Sequence, residues 1–176
     1  MNATIHELSD LFFDQLRDIH SVESQVAETL PQLAQRATLP ALRELFLAQH
    51  PFTLEQRERI AEIFERHSRT IGPDECRAMK GLIEGGNAHL DRVKDATVRD
   101  FMLVAHWIRI KHYEIAAYQF AAGLSLHLDE VAEREVLSDY LAAEERAVKE
   151  LESVAAELFA VKPGSPAVAD SGPAAS

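Results

Sequence analysis

The sequence predicts an all-α fold: four long helices in two antiparallel hairpins, with a short fifth helix in the crossover between them. Three observations carry this. Apolar residues recur at three-and-four spacing through four long segments, most of them opened by a capping or first-turn signal. No alternating strand pattern of any length occurs. The connection from Thr70 to Asp95 is too long for a tight turn and carries helical signals of its own. With 176 residues, 47% of them hydrophobic and 27% charged, the chain suits one domain with a proper core over 1–161.

Thr4 to Glu7 has the form of a capping box, so a first helix is expected to start there. Leu8, Phe12, Leu16, Ile19, Val26, Leu30 and Leu33 form its apolar stripe, and Glu23 fills the one missing position. Thr38-Leu39-Pro40 opens the second helix. Leu42, Leu45, Ile60 and Ile63 share a face there whose middle is Gln49, Thr53 and Gln56. Pro31 and Pro51 fall inside these helices and are expected to bend them. Gly72-Pro73 is expected to stop the second helix, and a shorter one follows from Cys76 to about His89, weakened by Gly85-Gly86. Asp95 caps a long helix to about Leu126, and Asp129-Glu130 starts the last. In that last helix Glu144 interrupts a stripe of Leu137, Leu141, Val148, Leu151, Ala155 and Leu158. Residues 162–176 are Pro, Gly, Ser and Ala-rich, which predicts a disordered tail.

The net charge of −11 and pI near 5.1 argue against nucleic acid or an anionic membrane surface as partner. A single cysteine, Cys76, excludes an internal disulfide and reads as a buried thiol. Met1 to Asp10 has no signal-peptide pattern, and charges interrupt the oily run from Phe101 to Leu126, so a cytoplasmic protein is expected. No phosphate loop, zinc spacing or nucleophilic triad is present in the sequence.

The chemistry concentrates in Lys111 to Tyr118. Trp107, Lys111, Glu114 and Tyr118 share one face of a helix that is apolar almost all round, so two opposite charges should point inward together. Buried charge is costly unless it is paired or holds a metal. In antiparallel hairpins, residues equidistant from the turn lie at one height. Glu23 and Thr53 are each about 15 residues from Thr38, roughly 22 Å along a helix. Lys111 and Glu144 are likewise matched about the second turn. Inward carboxylates from four helices at one level are the construction of di-iron and di-manganese bundles, which add Glu-x-x-His pairs on two helices.

Dispersed segments in the right order carry a resemblance: Leu16 to Gln25, Leu30 to Ala34, Cys76 to Glu84, His112 to Tyr118 and Leu141 to Glu145. Over nearly all of 4–160 the chain resembles the YciE/YciF-type stress proteins, a ferritin-like four-helix group. That resemblance implies a ferritin-like fold, a homodimer and an association with stress. It also implies that ligand or near-ligand positions are altered at Gln49, Lys111 and Lys149, and that His20 stands where the family has Tyr. The candidate metal ligands are Glu23, Glu114 and Glu144, with His20 or His50 as possible recruits. Against Lys111 the three carboxylates sum to −2, short of what two divalent ions normally meet. Three functions follow: a non-catalytic stress protein with a salt-bridged core, an iron- or manganese-dependent oxidoreductase acting on oxygen or peroxide, or a helical module recruiting a protein partner.

Overall fold

The computed structural model describes residues 4–160, which form helices α1 Leu8–Arg36, α2 Pro40–Arg66, α3 Arg77–Asp91, α4 Ala96–His127 and α5 Val131–Ala160. The expected tail at 162–176 lies outside the described residues. Connections of three residues join α1 to α2 and α4 to α5, which makes each pair an antiparallel hairpin. The hairpins close into one bundle through α1 against α4 and α2 against α5. The segment 67–95 climbs along α1: Arg17 reaches Ile71 O, the Ser21 hydroxyl accepts from Cys76 N at 2.8 Å, and Arg36 pairs with Asp91 at 2.8 Å. Its helix α3 packs on α4 and α1. This is the ferritin-like arrangement expected, with α3 as the crossover helix.

Three boundaries depart from expectation, each for a local reason, and the start of α3 at Cys76 agrees with it. Helix α1 starts at Leu8, too late for Thr4 to cap it, and Glu7 as N-cap makes no side-chain bond; the Asp10 carboxylate instead accepts from His6 N at 3.2 Å. Thr38 does not cap α2, because Asp100 of α4 does. That carboxylate accepts from Thr38 N at 2.8 Å, from Leu39 N at 2.9 Å and from the Thr38 hydroxyl. Helix α2 ends at Arg66 rather than Gly72, closed by Ser68 N to Glu65 O and Arg69 N to Phe64 O, both at 2.9 Å, with Ser68 at φ 53°. The same pair of bonds ends α4, from Asp129 N to Leu126 O and Glu130 N to Ser125 O, with Asp129 at φ 59°. Both are Schellman closures whose left-handed residue is not glycine. Lastly, Cys76 is the N-cap of α3: its sulfur accepts from Met79 N at 3.4 Å.

The apolar core lies in two parts. One contains Val26, Leu30, Phe46, Leu103, Trp107, Ile110 and Leu151; the other contains Phe12, Leu16, Ile60, Ile63, Tyr118, Leu137 and Tyr140. Each α-helix of the bundle passes through both parts, and the polar residues Glu23, Thr53, Gln56, Lys111, Glu114 and Glu144 fall between them. Where α3 meets α4, Gly86 lies directly against the His106 ring, and a β-carbon there would overlap it.

Candidate functional site

Glu23, Lys111, Glu114 and Glu144 have no solvent exposure at all, as their places in the apolar stripes predict. The Lys111 ammonium lies 2.6 Å from Glu144 Oε2 and 3.0 Å from Glu114 Oε2. It also sits 4.9 Å from the centre of the Trp107 ring, so its cation is faced by two carboxylates and an aromatic π-system. Gln56 Nε2 donates to the other Glu144 oxygen at 2.8 Å, and the Tyr118 hydroxyl donates to Glu23 Oε1 at 2.8 Å. Four helices thus meet in one polar layer.

Acceptors outnumber donors in that layer. Glu23 Oε2, Glu114 Oε1, Thr53 Oγ1 and Gln56 Oε1 are buried without a hydrogen-bond partner. Protonation relieves the deficit by turning a carboxylate oxygen into a donor. Burial, reinforced by the charge of Glu144 and only partly opposed by Lys111, raises the Glu114 carboxyl to about 8. Burial and the nearby Glu114 and Glu144 raise Glu23 well above the carboxylate range, against the pull of Lys111 and Tyr118. For Lys111, burial works to lower the pKa, and the charges of Glu114, Glu144 and Glu23 reverse it, holding the ammonium above the usual lysine range. Proximity to one lysine therefore does not keep every carboxylate charged.

These residues do not fit a dinuclear carboxylate–histidine centre. Such a centre takes a Glu from each of two helices and a Glu-x-x-His pair from each of the other two. Here α1 and α4 supply Glu23 and Glu114, but α2 presents Thr53 and Gln56, and three residues past Glu144 on α5 stands the buried Ala147. Among the described residues, the cation that pairs with the layer's carboxylates is Lys111 itself. His20 and His50 are half-buried, and burial lowers the pKa of His20. Lys149 is exposed and does not reach the layer, since it lies five residues past Glu144, on the outer side of α5; its altered identity has no bearing on the centre. Gln49 is half-buried, with its amide oxygen enclosed and unpartnered. Gln56 was legible only as a polar position, not as the partner of Glu144. His112 is exposed, away from Lys111.

A second cluster was not foreseen. Among the described residues, the one trio of histidine, cysteine or acidic side chains whose ligand atoms all lie within 4.8 Å of one another is His67, Glu130 and Glu133. It sits where the ends of α2 and α4 meet the start of α5.

A four-helix bundle with a short crossover helix and inward carboxylates on three helices defines a ferritin-like protein. The chain belongs to the YciF-type stress-protein family, and residues 7–162 match the family described as a domain of unknown function (DUF892). It is 35% identical to Protein YciF of Escherichia coli (strain K12) over 122 residues, 69% of this chain and 74% of that protein. The crystal structure of the E. coli stress protein YciF superposes with a TM-score of 0.85 at 31% identity, over 90% of this chain and all of that one (100%). The structure of YcfI from Rhodopseudomonas palustris gives a TM-score of 0.83 at 27% identity, over 87% of this chain and 98% of that one.

Proposed function

We propose that this chain is a non-catalytic ferritin-like stress protein in which the Lys111 ammonium stands where the family's bundles would place a metal. The observation that carries the reading is the contact of Lys111 Nζ with carboxylates from two helices, 3.0 Å to Glu114 and 2.6 Å to Glu144. A fixed positive charge fills the need for a cation without open coordination positions or redox chemistry. The layer then holds four helices in register. Elemental analysis of protein purified without chelator or affinity metal tests this: iron and manganese are expected far below one equivalent per chain, and about two equivalents would overturn it.

A second reading, an iron- or manganese-dependent oxidoreductase acting on oxygen or peroxide, draws on the unpartnered oxygens of Glu23 and Glu114. It requires those carboxylates to load metal beside an ammonium, which repels it. A homodimer belongs to the favoured reading; the exposed Phe120 and Leu126 on α4 support a covered face. Light scattering that gives a 19.6 kDa species alone at micromolar concentration would count against it. No helix among the described residues is long and apolar enough to cross a membrane.

A further inference from the structure

The geometry points to a zinc-type site formed by His67, Glu130 and Glu133 at one end of the bundle, apart from the Lys111 layer. His67 Nε2 lies 3.1 Å from Glu133 Oε1 and 3.9 Å from Glu130 Oε2. A zinc ion with bonds of about 2.0–2.2 Å holds neighbouring tetrahedral ligand atoms roughly 3.3–3.6 Å apart, a spacing those two distances bracket. One imidazole and two carboxylates form a borderline donor set that suits Zn²⁺ better than a hard, oxygen-seeking ion. Three protein ligands leave the fourth position to water.

The backbone and its surroundings hold the ligands in place. His67 ends α2 immediately before the left-handed Ser68, and Glu130 follows the left-handed Asp129, so both ligands stand on Schellman closures that fix the chain direction. The Phe13 ring meets the His67 ring edge-on, with centroids 5.1 Å apart, and restricts its rotation. Glu133 is 4% exposed, whereas the other two ligands are partly open and give an ion a way in. Arg66 Nη2 donates to Glu133 Oε1 at 3.0 Å and Arg66 Nε at 3.4 Å. Both Arg66 bonds go to the Oε1 that faces His67, so a metal on Glu133 shares that oxygen with the half-exposed guanidinium or takes Oε2, while Arg66 fixes the carboxylate's orientation. Zinc takes the His67 Nε2 lone pair, so the ring hydrogen moves to Nδ1 and the direct His67–Glu133 contact gives way to two metal bonds.

Because α2 and α5 belong to different hairpins, an ion here staples the two hairpins together at their end. The test uses full-length protein stripped of metal and titrated with Zn²⁺, and with Co²⁺ as an optical probe. One equivalent of Zn²⁺ is expected, with a raised melting temperature and visible tetrahedral Co²⁺ absorption. H67Q and E130Q should each weaken binding at least tenfold, and E114Q, in the Lys111 layer, should leave it unchanged. If H67Q fails to fold by circular dichroism, E130Q decides, since Glu130 is the most exposed of the three ligands. No uptake by the parent, or uptake unchanged in a folded variant, overturns the assignment. Zinc lost in E114Q but kept in H67Q would also overturn it, and would place the metal in the central layer instead.

Discussion

The central layer and the end cluster each set acidic groups against a cation, and they titrate in opposite directions. Glu114 and Glu133 are both buried, so both pay desolvation. Glu133 is met by the Arg66 fork and by His67, each with access to water, and its carboxyl falls below the ordinary range. Glu114 shares one ammonium with Glu144 where neither has any solvent exposure, and its carboxyl rises to about 8. What separates them is depth below the surface, the like charge of Glu144 beside Glu114, and the number of donors that reach each carboxylate. A carboxylate supplied with donors stays charged when buried, whereas one sharing a single ammonium stores a proton.

The largest way to break this contrast is to remove Lys111. Lys111→Met, measured by denaturant unfolding, is expected to cost roughly 3–5 kcal/mol, the usual penalty for stranding buried charge. Lys111→Glu should cost more, with part of the loss recovered when Mn²⁺ or Fe²⁺ is supplied. A parent-like Lys111→Met would show that the layer does not depend on its cation.

Next in size is the pH dependence. A carboxyl raised from 4.5 to about 8 in the folded state binds more protons there than in the unfolded chain, so its stabilisation is full below 4.5 and is lost as pH rises through 8. Glu133, lowered, contributes stability above 4.5 that is lost as pH falls through its folded value. Melting temperature should therefore be higher near pH 6 than near pH 8.5; a curve rising over that interval would contradict the assignment for Glu114. Glu114→Gln sharpens the point, because it mimics the protonated acid: stability near pH 6 should change by less than about 1 kcal/mol, as for an isosteric exchange, and the fall towards pH 8.5 should flatten. The smallest effect is expected for Arg66→Met. Its guanidinium is 45% exposed, so the loss should stay within about 1 kcal/mol at moderate salt.

The central layer was legible because its cause is local. Three-and-four spacing aligns Trp107, Lys111, Glu114 and Tyr118, and a charge inside an apolar stripe declares itself wherever the stripe is regular, as at Glu23 and Glu144. The partners were less legible. Whether Lys111 would meet Glu23 or Glu144 depends on side-chain reach across the bundle, which periodicity does not encode. The cap that Asp100 provides to α2 joins residues 62 apart, and Thr38 beside Pro40 mimicked a self-sufficient start. The end cluster was invisible for a related reason: His67 and Glu133 sit at helix ends, where polar residues are ordinarily solvated, and only the closure of both hairpins brings them together.

The contact of Gly86 with His106 bears on how this protein can change over generations. The His106 ring is enclosed, with both nitrogens unpartnered, and burial, with Arg109, Arg36 and His89 nearby, lowers its pKa to about 4, so it packs as a neutral plate. Any side chain at position 86 must displace that plate, and a smaller residue at 106 alone would leave a hole beside the glycine. Neither position has a free single step. A lineage that alters one must alter the other, and the pair should drift through related sequences as a single unit, large opposite small.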